Sequence, residues 1–134
     1  MKKIFFSTVV FSLLLTFTSQ AQNLKREWML VSFNNYSKEF LTKNKAKLDL
    51  KNPKLVPLFM GCNSISISVE VLKHHKLKFK NGIRTEMFCE NAMQLEDDFL
   101  KDIELYQSYS IKGHSLTLKT PKGKKMIFIA SDWD

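Results

Sequence analysis

The run Ser64-Ile65-Ser66-Ile67-Ser68-Val69-Glu70-Val71 constrains this chain more than any other segment. Ile65, Ile67, Val69 and Val71 share one face, and Ser64, Ser66, Ser68 and Glu70 share the other. Side chains alternate across an extended strand with a period of two, and β-branched residues suit that backbone. A strand with one apolar and one polar face belongs to a sheet that is wet on one side, which favours antiparallel pairing.

The rest of the chain extends this reading. The segment 27–33 is expected to be a first strand with Trp28, Leu30 and Phe33 inward, and 34–45 a polar connection. A short strand over 46–51 ends at Asn52-Pro53. The long β-rich stretch 55–71 carries Pro57, which argues for an edge or bulge at its start, and Gly61, which marks a bend. Another strand is expected over 73–82, with Leu77 and Phe79 on one side and Asn81-Gly82 as a turn.

The period then changes. Ala92, Leu95, Phe99, Ile103 and Tyr106 are spaced as one stripe of an amphipathic helix, placed at about 91–106 with Asn91 as its cap. Two further hairpins follow, the second turning at Thr120-Pro121-Lys122-Gly123. The fold class predicted is mainly β: a small antiparallel, barrel-like curled sheet with a single helix.

The first residues are expected to lie outside that fold. Lys2 and Lys3 precede an apolar run over 4–17, and Ser19-Gln20-Ala21 offers small residues at a cleavage site. That is the layout of an export signal over 1–21, with one domain from 22 to 134. The run is shorter than the ~20 residues of a spanning helix, so no membrane span is expected after cleavage. An exported product, periplasmic or extracellular, meets an oxidising compartment.

The formal charge is +8, and the export segment contributes two lysines to it. Arg26 and Arg84 are the only arginines. Nucleic-acid readers lean on the planar arginine fork, so no specific nucleic acid is expected as a partner. A solvated lysine exterior accounts for most of this charge, and weak attraction to anionic envelope polymers or lipids is the functional alternative.

Candidate chemistry is sparse. His74 and His75 are neighbours on an expected strand, so they point to opposite faces, and His114 sits in an expected turn. No metal site and no cofactor is predicted from this spacing. The acids Glu96, Asp97, Asp98, Asp102 and Glu104 read as a solvated helix face, and no catalytic residue emerges. Trp28, Tyr36, Phe40 and the Lys73–Lys80 segment are candidates for surface contact.

In chain order, Trp28, Gly61-Cys62-Asn63, Thr85-x-Met87-x-Cys89, a helix with Phe99 and Leu100, then Tyr109, Leu116 and Leu118 resemble the META domain family of HslJ-like heat-shock and envelope proteins. The resemblance spans about 24–129. It implies a compact, barrel-like antiparallel β structure with one helix, in exported proteins linked to stress tolerance, without an established catalytic activity. The family pattern leads one to expect a glycine soon after Cys-Asn. Here Ile65-Ser66-Ile67-Ser68 stands instead, so the bend there is expected to differ.

Cys62 and Cys89 fall in the two motifs. Compartment and even count favour a disulfide tying the helix to the sheet. Two buried free thiols and a reactive thiol remain open, although Cys-x-x-Cys is absent. Asn63 and Thr85 are expected to bond backbone groups at the bend, and Met87 to fill the core, so Gly61, Asn63, Thr85 and Met87 are assigned structural roles. The expected function is binding, as a monomer, to an unknown protein or envelope component in support of envelope stress tolerance. Inhibition of a secreted hydrolase and thiol redox chemistry are the alternatives.

Overall fold

The computed structural model describes residues 23–133; the expected export segment over 1–21 lies outside them. The described chain is mainly β. Eight antiparallel strands form one curled half-barrel sheet: β1 Glu27–Ser32, β2 Lys47–Asp49, β3 Val56–Phe59, β4 Ser64–Val71, β5 Leu77–Arg84, β6 Ser108–Lys112, β7 Ser115–Lys119 and β8 Lys125–Ala130. Their order across the sheet is β5-β4-β3-β2-β1-β8-β7-β6. The chain meanders outward from β1 to β5, crosses the open side, and returns through β6 and β7 until β8 pairs with β1.

The crossing is made by α2, Met93–Asp102, and a 3-10 turn, Ile103–Leu105. The predicted stripe Ala92, Leu95, Phe99, Ile103 and Tyr106 is buried throughout. It packs on a core that includes Trp28, Leu30, Phe33, Phe79 and Phe128. Phe33 meets Phe99 edge-on at 5.9 Å between centroids, a favoured aromatic geometry.

The edge strands β5 and β6 are stitched together at one end. The Leu77 N–H donates to the Gln107 carbonyl at 3.0 Å, and the Tyr109 N–H donates to the His75 carbonyl at 2.9 Å. Farther along, the Asn81 N–H donates to Glu104 Oε1 at 3.0 Å. The helical crossover therefore covers an edge that would otherwise present unpaired backbone groups.

Several local expectations need correction. The connection 34–45 contains a short helix, α1, Lys38–Lys43, capped by Ser37, whose hydroxyl accepts from the Phe40 N–H. The stretch 55–71 is two paired strands, β3 and β4, joined through Gly61. Pro57 sits in an interior strand. Pairing toward β2 stops at Leu58, one residue short of the proline ring, so no ladder donor is missing there. Asn91 does not cap α2. Ala92 holds that position without a side-chain bond.

The most instructive correction concerns Asn81-Gly82, which lies inside β5. A Cβ at Gly82 would sit 1.8 Å from the Ser66 carbonyl oxygen. Register slips between Ser66 and Ser68 opposite this point, so glycine admits a bulge in β5. The irregularity expected in β4 for want of a glycine is carried by its partner strand.

The hairpin turn lies instead at Lys73–Lys76, where the Lys76 N–H donates to the Lys73 carbonyl at 3.3 Å. Its central residues are His74 and His75, at φ 59° and 58°. Two left-handed central residues define a type I′ turn, whose twist matches the flanking strands. The two histidines are thus turn residues and not alternating strand neighbours.

Candidate functional site

The chemistry-bearing residues converge where β4 begins and α2 starts. Gly61 leads in at φ +102°, and a Cβ there would approach the Ala92 Cβ to 2.8 Å. Only glycine allows both this conformation and so close a helix. Cys62 and Cys89 are joined by a disulfide with Cα atoms 5.8 Å apart. The bridge ties the loop ahead of α2 to the start of β4. In the chain-entropy view, closing this loop stabilises the fold by roughly 3–4 kcal/mol.

Asn63 is fully buried beside the bridge. Its Oδ1 accepts from the Met87 N–H at 2.7 Å and from the Thr85 hydroxyl at 2.9 Å. Its Nδ2 donates to Glu96 Oε1 at 2.6 Å and to the Met87 carbonyl at 3.3 Å. The side-chain amide therefore pairs with Met87 as a neighbouring strand would, and all four of its hydrogen-bonding positions are filled. Thr85 also accepts from the Ser64 N–H at 3.2 Å, and its own N–H donates to the Ser64 carbonyl at 3.1 Å.

Among the described residues, Glu96 is the other buried polar residue. Its Oε2 accepts from the Asn63 N–H at 2.8 Å, and its Oε1 accepts from Arg84 at 3.2 Å as well as from Asn63. Arg84 also donates to Asp97 at 2.9 Å. That bond to Asp97, chiefly, holds the guanidinium above its ordinary pKa. A carboxylate in the interior persists only when paired and hydrogen-bonded, and here both oxygens are engaged. The network joins β4, β5, the following loop and α2 in one polar knot.

Glu96 and Arg84 were missed from the sequence, where Glu96 was assigned to a solvated face. A signal was present: Glu96 stands four residues after Ala92 and three before Phe99, within the buried stripe. Met87 is also misjudged. Its side chain is 58% exposed and does not fill the core; its backbone makes the contacts.

The contact candidates separate. Trp28 is fully buried, its indole N–H donating to the Leu24 carbonyl at 2.9 Å, so it is core and not contact surface. Tyr36 and Phe40 are half-buried and stacked, with ring centroids 5.6 Å apart. The Tyr36 hydroxyl donates to Asp98 at 2.6 Å. Burial first, and that bond second, hold the phenol well above its usual range. The lysines of Lys73–Lys80 are exposed as expected, while Leu77 and Phe79 point inward.

Beside the polar knot, large apolar side chains are exposed. Phe88 is 82% exposed and Ile83 79%. Ile83 lies near the end of β5 and Met87, also exposed, and Phe88 lie in the loop after it, with the exposed Arg84, Thr85 and Glu86 between them. Among the described residues, no group of three or more His, Cys, Asp or Glu side chains is placed to hold a metal ion, and no helix is long and apolar enough to cross a membrane. What the arrangement offers is a fixed backbone presenting apolar side chains.

These features define a class: a half-barrel of antiparallel strands, closed by one helix that a disulfide and a buried Asn–Glu pair fasten to the sheet. The META domain family model matches residues 21–133. The chain belongs to the META domain family. A protein from Burkholderia xenovorans, solved by NMR, is similar at 20% identity and a TM-score of 0.63, over 81% of this chain and 83% of that one. A second NMR structure is similar at 20% identity and a TM-score of 0.63, over 83% and 93%. At that identity they share the fold. No match is found among curated proteins.

Proposed function

We propose that this META domain is an exported, non-enzymatic binding protein that supports envelope stress tolerance, with the Ile83–Phe88 segment as its contact surface. The observation that carries the reading is the pairing of exposure with rigidity. Phe88 and Met87 face solvent from a loop whose backbone is held by the Cys62–Cys89 bridge and by the Asn63 amide. Large side chains of this kind each contribute roughly 1.5–3 kcal/mol when a partner buries them. A pre-ordered loop spares much of the entropy cost of association. The disulfide supports an oxidising, exported setting, and a paired Cys62 and Cys89 leave no free thiol among the described residues for redox work.

The test is complementation. In the organism that encodes the protein, deletion of the gene should sensitise cells to heat and envelope-perturbing agents. The wild-type gene should restore growth, and Met87→Ser with Phe88→Ser should not, although the variant unfolds at the wild-type temperature. The exported protein should begin at Gln22 by mass. Full restoration by the double variant overturns the proposed contact.

A second reading has one observation in its favour. An exposed hydrophobic loop stapled at its base is the kind of pre-formed element that inhibitors insert into a hydrolase cleft. Inhibition of a secreted peptidase that disappears with Phe88→Ser would shift the conclusion to that class.

A further inference from the structure

We infer that the tip of the β4–β5 hairpin, residues Val71–Lys80, docks on the surface of an anionic lipid bilayer. The tip stands at the other end of the strands from the disulfide. Eight residues of β4 separate the two, which is about 25 Å at the rise of an extended strand. It is therefore a second surface, independent of the contact loop proposed above.

Three observations meet at this tip. Val71 and Leu72 are 44% and 45% exposed and lead the turn. Lys73, Lys76, Lys78 and Lys80 are all exposed around and behind them. The turn is closed by two histidines in left-handed conformation, where glycine or asparagine would be easier. The His75 ring turns onto Tyr109 at 5.3 Å, which leaves the His74 imidazole exposed beside the lysines.

Lysines on an edge strand have another role, since charge there discourages pairing with a second sheet. That accounts for Lys78 and Lys80 on β5 and for Lys76 just ahead of it. It does not account for Leu72, which a purely solvated hairpin would gain nothing by exposing. Leu72 shares a groove with Lys76, Lys78 and Lys80, and an apolar side chain set among ammonium groups matches the chemistry of an anionic membrane surface. The apolar groups enter the boundary with the acyl chains, and the ammonium groups meet the head groups. A soluble polyanion would use the lysines and leave the apolar tip idle.

The acids nearby are few. Glu70 lies opposite Lys78 in the β4–β5 register. Glu104 shares a groove of about 550 Å³ with Leu72, Lys76, Lys78, Lys80 and Gln107, and its carboxylate is engaged by the Asn81 N–H. Four lysines against two acids leave the tip and its flank positive.

The chain from Gln22 onward, which holds every described element, serves for the test. It is sedimented with vesicles of phosphatidylglycerol and phosphatidylcholine, and with phosphatidylcholine alone. Binding is expected only with the anionic lipid, weakening as salt rises. Lys76→Gln with Lys78→Gln should weaken it on the order of twentyfold, about fivefold per lysine. Leu72→Ser should weaken it by about fivefold through lost apolar contact. Met87→Ser with Phe88→Ser should leave it unchanged, so that failure here is distinct from failure of the proposed contact loop. Equal binding to both vesicle types overturns the inference. So does binding that Leu72→Ser leaves intact and that soluble dextran sulfate abolishes, which would make the tip a polyanion reader.

Discussion

The two ends of the β4–β5 hairpin are built on opposite terms. At Asn63 and Arg84 the strands are held by a covalent bridge, a fully satisfied amide and a buried carboxylate shared with α2. At Lys73–Lys76 they are held by turn bonds and by a short stitch to β6. The first end fixes an exposed loop in one conformation, and the second leaves lysines and the His74 imidazole exposed at a tip. In a domain of this size total stability is of order 5–15 kcal/mol, so the restraints at one end are a large share of the whole. The same pair of strands thus carries a cross-linked loop at one end and a turn closed by backbone bonds at the other.

The comparison breaks most visibly at the bridge. Cys62→Ser with Cys89→Ser should cost roughly 3–4 kcal/mol. Thermal unfolding should fall on the order of 15 °C. Limited proteolysis should cut first within 85–90, while the hairpin tip stays as resistant as before. Uniform loss of protection at both ends would show that the bridge supports the whole sheet and not one end of it.

The next effect should come from Asn63→Ala. It leaves the Met87 N–H and carbonyl unpaired and withdraws a donor from Glu96, while the disulfide stays in place. Stranding buried polar groups in this way costs about 2–3 kcal/mol. Chemical denaturation under non-reducing conditions measures it. A loss below about 0.5 kcal/mol would mean that the bridge alone positions the loop, since ordinary surface changes fall within that range.

Alkaline pH acts from the other end. Tyr106 precedes Gln107, whose carbonyl receives the Leu77 N–H in the stitch. Burial, with Asp102 adding to it, pushes the Tyr106 phenol up to about 12 from an ordinary 10. Its folded-state value exceeds its unfolded one, so its contribution is fully present below pH 10 and is lost as pH rises toward 12. Melting temperatures followed across that window should decline less steeply in Tyr106→Phe. The buried hydroxyl has no hydrogen-bond partner in the protein, so the variant should be at least as stable as the wild type at neutral pH.

Periodicity made much of this fold legible. The alternation in β4 and the helical stripe from Ala92 to Tyr106 are local patterns, and the burial of those residues follows them. The Asn63–Glu96–Arg84 knot was not legible as a unit, because its members are up to 33 residues apart in the chain. A charged residue beside an apolar stripe also reads as surface until its partner is known. The hairpin inverted a strong local signal. Asn81-Gly82 looks like a turn and forms a strand bulge, while His74-His75 looks like strand and forms the turn. Tertiary contact decided both: Gly82 must pass the Ser66 carbonyl, and the Tyr109 N–H is bonded to the His75 carbonyl.

That inversion yields the smallest predicted effect, and the one of opposite sign. His74→Asn places at the first central position of the turn a residue that adopts positive φ more readily. Stability should rise by about 0.5 kcal/mol, since the exposed imidazole gives up no hydrogen bond in the protein. His75→Gly relieves the same kind of strain but removes a ring that meets Tyr109 edge-on at 5.3 Å. Aromatic pairs of this geometry contribute roughly 0.5–1.5 kcal/mol, enough to offset the relief. The expected order is therefore His74→Asn above wild type, with His75→Gly level with it or below. Denaturant midpoints at constant slope provide the measurement. If His75→Gly proves the more stabilising of the two, the Tyr109 contact holds nothing. The tip is then joined to β6 by backbone bonds alone.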